Sequence, residues 1–256
     1  MKIKLLPSSI ASGAQHQALT SFLVNGCLAV DGGSIGLALA PEEMASFRHI
    51  VITHSHSDHT ASLPIFIAEA FTSLTEPITV YGTRTVISAL REYVFNDEVW
   101  PDFEKIPLAN GSGPALQFHP IEPLSATRIA GLRVTPIPVN HVVETMGLLV
   151  EDEAVAVLFT SDTYTTDAIW RAANRCERLK AVFVDVSYPN ELEELAAASR
   201  HFTPQTLARD LRKLEREAQV FAVHIKPSNR EQVVRQLARL EAPPVFVAEI
   251  GREYEW

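Results

Sequence analysis

The chain has 256 residues, of which 46% are hydrophobic and 21% charged, values that are ordinary for a globular protein with a sizeable core. Its net charge of −9 argues against a broad non-specific nucleic-acid surface, which needs lysine and arginine to displace counterions. No apolar run is long enough to span a bilayer and the N-terminus lacks a signal peptide's apolar core, so we expect a cytoplasmic protein.

The predicted elements alternate between strands and helices along a single domain that covers residues 1–256. Apolar runs predict strands near residues 21–31, 36–40, 49–53, 78–81, 115–120, 131–139, 146–151, 154–160, 180–186, 219–223 and 244–248. Helical periodicity predicts helices near residues 63–72, 83–95, 165–173, 190–198, 203–219 and 229–240. Apolar strands and amphipathic helices of this kind are buried when two sheets pack face to face between helical layers.

The most informative motif follows the apolar run that ends at Ile52. Three histidines and one aspartate stand within six positions, at His54, His56, Asp58 and His59. In an extended segment, residues two apart point to the same side, so His54 and His56 can share one metal while the other two turn toward a second. Imidazole and carboxylate are the ligands that divalent metals such as zinc prefer. The motif therefore predicts a metal site at a strand end.

More candidate ligands follow in the same kind of position. His141, Asp162 and His224 each come at the end of a short β-like run, and so does Asp31, which precedes two glycines. A lone histidine at a strand end is more often structural than a ligand. Three candidates in series after the histidine-rich motif reverse that expectation.

This order of residues resembles the metallo-β-lactamase fold superfamily. The resemblance implies an α/β fold of four layers, an αββα sandwich. It also implies two metal sites, one held by His54, His56 and His141, a second held by Asp58, His59 and His224, and both bridged by Asp162. Asp31 is then expected to hold the motif loop in place by hydrogen bonds.

A narrower resemblance covers most of the chain. The block from Val80 to Phe103, the run Asp185-Val186-Ser187-Tyr188-Pro189-Asn190, the segment from Ser199 to Pro204 and the stretch His224-Ile225-Lys226-Pro227 are similar to class II cyclic-nucleotide phosphodiesterases. Arg200 departs from that family's pattern, which implies glycine before His201. The resemblance implies hydrolysis of a 3′,5′-cyclic nucleotide, cAMP or cGMP, to a nucleoside 5′-monophosphate, and a homodimer.

The implied chemistry rests on two divalent ions, for which zinc suits the ligands and manganese or iron are alternatives. Such a pair can hold a bridging hydroxide that attacks phosphorus, and Asp58 is expected to orient it as well as to bind metal. His201 is the candidate proton donor to the leaving group, because imidazole can donate near neutral pH. Thr203, at the start of the next predicted helix, is expected to support the site from behind the ligands.

Three aromatic side chains are candidates for stacking on the base, although core packing is the commoner fate of such residues. These are Phe95, Trp100 and Tyr188. The sequence does not distinguish adenine from guanine.

Other functions fit parts of the pattern. A transfer-RNA 3′-end endonuclease shares the histidine motif and a histidine near a helix start, but the chain lacks an evident basic arm for gripping RNA. A non-catalytic metal-binding sensor on the same fold is a second alternative, against which the full ligand set and His201 argue. A lactone or thioester hydrolase would leave the block around Phe95 and Trp100 unexplained.

Overall fold

The computed structural model describes residues 1–8, 16–240 and 244–256. Two seven-stranded sheets make up its centre. The strands are β1 (Lys2–Leu5), β2 (Phe22–Val24), β3 (Leu28–Val30), β4 (His49–Val51), β5 (Ile78–Gly82), β6 (Leu116–Pro120), β7 (Thr127–Ile129), β8 (Leu132–Pro138), β9 (Met146–Glu151), β10 (Ala156–Phe159), β11 (Leu179–Asp185), β12 (Gln219–Val223), β13 (Val245–Val247) and β14 (Glu253–Glu255).

The two sheets repeat one pairing pattern. The first has the order β14-β1-β2-β3-β4-β5-β6 and the second β7-β8-β9-β10-β11-β12-β13. In each sheet the first three pairs in this order are antiparallel and the last three are parallel. The parallel strands β3, β4 and β5 therefore have counterparts in β10, β11 and β12. Parallel strands end at a common edge, and that edge carries the site.

Helices alternate with these strands along the chain. They are α1 (Ile35–Ala38), α2 (Pro41–Ser46), α3 (Ser57–Thr60), α4 (Leu63–Ala70), α5 (Arg84–Tyr93), α6 (Ala168–Arg175), α7 (Glu193–Ser199), α8 (Pro204–Asp210) and α9 (Arg230–Leu237). Within the described residues no helix is long and apolar enough to cross a membrane.

Three apolar clusters account for the layers. The first fills the space between the sheets, where Phe159 and Phe183 stack with ring centroids 5.4 Å apart. The second joins the outer face of the first sheet to α4 and α5, and the third joins the second sheet to α6, α8 and α9. Truncating a fully buried ring such as Phe183 typically costs about 3–5 kcal/mol of folding free energy. This is an αββα sandwich, as the sequence predicted.

The structure differs from the predicted elements in several places. The predicted strand at residues 36–40 is helix α1, because a short apolar run is ambiguous between strand and buried helix. Gly36 allows its close approach to α4, since a Cβ there would lie 2.4 Å from the carbonyl oxygen of Ser62. Strands β1, β7 and β14 were not predicted, and the helix predicted at 203–219 ends as α8 followed by a 3₁₀ turn.

Candidate metal centre

The seven predicted metal ligands meet at the edge where the parallel strands end. They fall into two groups that share one aspartate: His54, His56, His141 and Asp162, and Asp58, His59, Asp162 and His224. In each group, one ligand atom per residue lies within 4.8 Å of every other. Each group therefore has the size of a single metal coordination sphere.

The first group comes from the loops after β4, β8 and β10. His141 Nε2 lies 3.3 Å from His56 Nδ1 and 4.0 Å from Asp162 Oδ2. His54 Nε2 lies 3.7 Å from the same carboxylate oxygen. Three imidazole nitrogens thus converge on one carboxylate, a donor set that suits zinc and other borderline divalent ions.

The second group combines helix α3 with the residue that follows β12. His224 Nε2 lies 3.1 Å from Asp58 Oδ2 and 3.6 Å from Asp162 Oδ2. His59 Nε2 lies 3.3 Å from the other oxygen of Asp162. Asp162 thereby faces both groups, the place of a bridging ligand.

Two buried nitrogens show that this cluster fits a metal. In the described part of the chain, His54 Nε2 and His59 Nε2 have no hydrogen-bond partner of good geometry. A buried polar atom without a partner costs about 1–3 kcal/mol. Both atoms point into the cluster, and a bound cation would supply the missing partner.

The electrostatics of the two groups differ. Burial lowers the pKa of His54 well below that of ordinary imidazole, and the nearby charge of His59 lowers it further. Burial lowers the pKa of His56 and His141 as well. These three side chains are neutral at pH 7, the form that binds metal.

In the second group, the effect of nearby carboxylates on the histidine pKa values is larger than the effect of burial. Burial alone would lower the pKa of His59 and His224, but Asp162 holds the pKa of His59 well above the ordinary value and raises that of His224 to about 9. Burial would raise the pKa of Asp162, but His224 and His59 hold it well below its usual range. The same opposition of burial and His224 keeps the pKa of Asp58 low. Without metal, protons take the place of the cation here.

Asp31 anchors the motif loop. Its carboxylate accepts hydrogen bonds from Nδ1 of His59 at 2.7 Å and from the backbone N–H of Thr53 at 2.8 Å. The hydroxyl of Thr53 also donates to it, and the same hydroxyl oxygen lies 3.1 Å from Nδ1 of His54. The far nitrogens of two ligand histidines are thereby fixed, so that each presents Nε2 to the cluster.

His201 lies beside the ligands and is held by a carboxylate. Its Nδ1 is 2.6 Å from Asp185 Oδ2, and its ring stacks on that of His224 with centroids 5.5 Å apart. Asp185 ends β11 and is 1% exposed, and its other oxygen accepts from the hydroxyl of Ser187 at 2.7 Å. Sequence reasoning missed Asp185 and Ser187 as site residues. The available signal was a carboxylate that closes the apolar run 181–184.

A third group of potential ligands, Asp185, His201 and His224, is compact enough to hold a metal. Its contacts are those of a hydrogen-bonded network instead. The 2.6 Å contact from His201 to Asp185 is a charge-assisted hydrogen bond. His224 already directs Nε2 toward Asp58, so only its Nδ1 faces this group.

A comparison with known protein families identifies the superfamily of the chain. The family model of the Beta-lactamase superfamily domain matches residues 22–225, which span the site from Asp31 to His224. The chain belongs to the β-lactamase superfamily.

Two curated relatives match most of the chain in sequence. It is 28% identical to the Yersinia pestis protein named "Probable 3′,5′-cyclic-nucleotide phosphodiesterase", over 89% of this chain and 80% of that protein. It is 26% identical to the 3′,5′-cyclic-nucleotide phosphodiesterase of Schizosaccharomyces pombe, over 84% of this chain and 68% of the relative.

Solved structures of low sequence identity share the fold. Unliganded yeast PDE1 matches with a TM-score of 0.78 at 16% identity, over 98% of both chains. The short form of human tRNase Z matches with a TM-score of 0.70 at 16% identity, over 100% of this chain and 99% of that one. At such identities the likeness establishes the β-lactamase superfamily fold and leaves the reaction open.

Arg200, where the resemblance implied glycine, adopts a left-handed conformation with φ of 59° and ψ of 54° at the end of α7. Glycine enters this region without steric cost, whereas an arginine Cβ is crowded there. The carbonyl of Arg200 accepts from Nδ1 of His141 at 3.2 Å, and its guanidinium donates to the side-chain oxygen of Asn140. Arg200 therefore adopts the backbone conformation that glycine favours, and it ties the loop that carries His201 to Asn140 and His141.

The remaining predicted residues lie at different distances from the cluster. Thr203 is fully buried and caps α8 by accepting from the backbone N–H of Thr206. Phe95 is buried in the outer core of the first sheet, and Trp100 packs against the same cluster. Tyr188 lies beside the metal centre, with its ring centroid 5.8 Å from that of His201.

Proposed function

We propose that this β-lactamase superfamily protein is a metal-dependent phosphodiesterase that hydrolyses 3′,5′-cyclic nucleotides to nucleoside 5′-monophosphates. The observation that carries the proposal is the buried Asp185–His201 pair beside the ligand cluster. A metal-binding module has no need of an oriented imidazole next to its ligands, whereas cleavage of a P–O bond leaves an alkoxide that needs a proton. The substrate class is supported by the names of the relatives that match most of the chain.

We infer two divalent ions, most simply zinc. His54, His56 and His141 would hold one, Asp58, His59 and His224 the other, and Asp162 both. The number of carboxylates in the site supports two metal ions. Four carboxylates gather here, those of Asp31, Asp58, Asp162 and Asp185, and two divalent ions would balance them. When bound, such ions supply Lewis acidity and an activated water at neutral pH.

The chain's own groups then have distinct tasks. Asp58, kept ionised by His224 and Lys226, can accept a proton from the attacking water and hold that water in line with phosphorus. His201 can donate a proton from Nε2 to the leaving oxygen, because its Nδ1 is bonded to Asp185. Lys226 Nζ, 3.4 Å from Asp58 Oδ2, adds a positive charge near the substrate phosphate.

For the base we propose Tyr188 as the stacking residue. Tyr188 is the candidate whose ring lies against His201, and a base stacked there would leave the phosphate within reach of the ligands. The core positions of Phe95 and Trp100 favour a role in shaping the outer layer. The single domain over residues 1–256, the cytoplasmic location and the homodimer expected from the sequence stay predictions.

A transfer-RNA endonuclease is the alternative function that the fold allows, because human tRNase Z has the same architecture. The net charge of −9 disfavours it, since RNA binding depends on neutralising many phosphates.

The deciding experiment is to incubate the purified, metal-analysed protein with cAMP, cGMP and a precursor transfer RNA and to identify the products. Release of 5′-AMP or 5′-GMP that stops on chelation and returns with zinc is the expected result, and the ratio of the two rates gives the base preference. Cleavage of the transfer RNA alone would replace the proposal with the endonuclease. Two bound metals without any product would favour the metal-binding sensor.

A further inference from the structure

Ser187 is a buried hydroxyl at the junction of two functional groups. It follows β11, it is fully buried, and its Oγ lies 2.7 Å from Asp185 Oδ1 and 2.9 Å from His224 Nδ1. A hydroxyl has one proton and two acceptor positions. Donation to the carboxylate leaves Oγ free to accept the Nδ1 proton of His224. In neutral His224, the form that binds metal, that proton position leaves the lone pair on Nε2, the nitrogen that lies toward Asp58 and Asp162.

Asp185 connects the same hydroxyl to His201. One of its oxygens accepts from Ser187, and the other accepts from His201 Nδ1 at 2.6 Å. A continuous chain of hydrogen bonds therefore runs from His224 through Ser187 and Asp185 to His201. All four side chains are less than a tenth exposed, so water does not compete strongly for these bonds.

The same arrangement occurs once more in the site. We call Asp31, Thr53, His54 and His59 the first corner, and Asp185, Ser187, His201 and His224 the second corner. In the first corner a hydroxyl donates to a carboxylate and lies 3.1 Å from Nδ1 of one histidine, while the carboxylate binds the other histidine at 2.7 Å. In the second corner the corresponding distances are 2.9 and 2.6 Å.

We propose that Ser187 is a positioning residue that orients His224 for the second metal and, through Asp185, holds His201 against the substrate. This inference rests on the proposed function for the part that concerns His201. Thr53 does the corresponding work for His54 in the first group of ligands. The two hydroxyls thus contact histidines of different groups, His54 of the first and His224 of the second, although their surroundings are alike.

The test measures zinc affinity and turnover in Ser187→Ala, Ser187→Thr and Thr53→Val, each checked for folding by circular dichroism. Competition with a chromophoric chelator gives the two zinc dissociation constants. We expect Ser187→Ala to weaken one zinc by about 10–100-fold, the usual cost of losing a partner behind a metal ligand, and to leave the other within about twofold. Ser187→Thr keeps the hydroxyl and should restore the affinity.

A double-mutant cycle identifies which zinc is affected. If Ser187 acts through His224, then Ser187→Ala added to His224→Ala should cause no further loss, whereas Thr53→Val added to His224→Ala should. On cyclic nucleotide, Ser187→Ala at saturating zinc should lower kcat about tenfold or more, with KM within about twofold. Ser187→Cys, of nearly the same size, replaces the alanine variant if that one fails to fold.

Several outcomes would overturn the proposal. These are wild-type affinity at both zinc sites in Ser187→Ala, a loss that Ser187→Thr does not restore, additive losses with His224→Ala, or fewer than two zinc ions in the wild type. The zinc titration needs no substrate. A wild-type protein that hydrolyses no cyclic nucleotide would therefore refute the proposed function while the assignment of Ser187 to His224 is still decided.

Discussion

The two corners of the site contain the same groups, a carboxylate, a hydroxyl and two histidines, but the histidines are placed differently. In the first corner both histidines, His54 and His59, direct Nε2 toward Asp162. In the second corner one histidine, His224, does so, while His201 stands outside the two groups of ligands around Asp162. A carboxylate on Nδ1 is thus common to His59 and His201, but His59 belongs to a group of potential ligands around Asp162 and His201 does not. We therefore expect the role of each histidine to depend on whether its Nε2 reaches Asp162, the carboxylate that both groups share.

The largest expected effect tests the first corner. His59→Ala removes a ligand of the second group and leaves Asp31 and Asp162 without their shared imidazole. We expect fewer than two zinc ions per chain by metal analysis, and hydrolysis of cyclic nucleotide reduced more than about 1,000-fold, because metal-assisted hydrolysis needs the intact site. Two zinc ions with near wild-type turnover would show that the corners have been assigned the wrong roles.

The corresponding change in the second corner should separate chemistry from metal binding. His201→Ala should keep two zinc ions and lower kcat by about 10²–10⁴-fold, the typical contribution of a general acid. The exposed His119→Ala is the matched control and should leave both quantities unchanged. Loss of zinc in His201→Ala, or full activity, would contradict its assignment as proton donor.

A third prediction concerns pH. The ligands His54, His56 and His141 have lowered pKa values, whereas His59 and His224 have raised ones, with that of His224 at about 9. A metal bound by the first group would then displace no proton at pH 7, whereas a metal bound by the second group would. Between pH 7 and 9 the affinity for the second zinc should therefore rise at least about tenfold per pH unit, while that for the first stays nearly constant.

Zinc titrations at pH 7, 8 and 9, with calorimetry in buffers of different ionisation enthalpy, measure this difference. The folding stability of the metal-free protein depends on pH in the opposite direction, because it falls as pH rises. The proton on His224 stabilises the fold fully below the unfolded pKa of about 6.5, and this stabilisation is lost as pH rises through about 9. Equal pH dependence at both zinc sites would remove the electrostatic distinction between the two groups.

The smallest effect concerns the approach to the second corner. Arg200→Gly relieves the left-handed strain before His201 and should stabilise the protein by about 1 kcal/mol, which raises Tm by about 2–4 °C in a chain of this size. Leu124→Gly is the matched control, because Leu124 is also left-handed, with φ of 63°, and 68% exposed. A lowered Tm in Arg200→Gly alone would mean that the contact of Arg200 with Asn140 outweighs the strain.

The difference between the two corners also explains how much of the site could be predicted from the sequence. The candidate ligands His54, His56, Asp58 and His59 are close in sequence, so one motif predicted that they lie together. The strand ends pointed to the more distant His141, Asp162 and His224, and the structure brings all seven side chains into two groups that share Asp162. The sandwich was predictable from the resemblance and from alternating apolar runs.

The network around Asp185 and Ser187 was not predictable in the same way. An aspartate and a serine after an apolar strand are common, and only the approach of His224 and His201 from distant segments gives them a role. The sequence also does not show whether an aromatic residue just beyond a helix, such as Phe95 after α5, packs into the core or faces the site. Phe95 therefore looked like a base-stacking candidate until its place in the outer core was known.

The pairing of β1 with β14 has a consequence for the order of events during synthesis. Lys2 lies opposite Glu255 in the first sheet, and the ligands of the metal centre are spread from His54 to His224. A ribosome releases the histidine motif long before β12, and β1, which pairs with β2 on one side, gains its second neighbour only when β14 has emerged. The nascent chain thus exposes four strong ligands without their partners. The cluster of candidate ligands is therefore complete only after β12 and His224 have been translated.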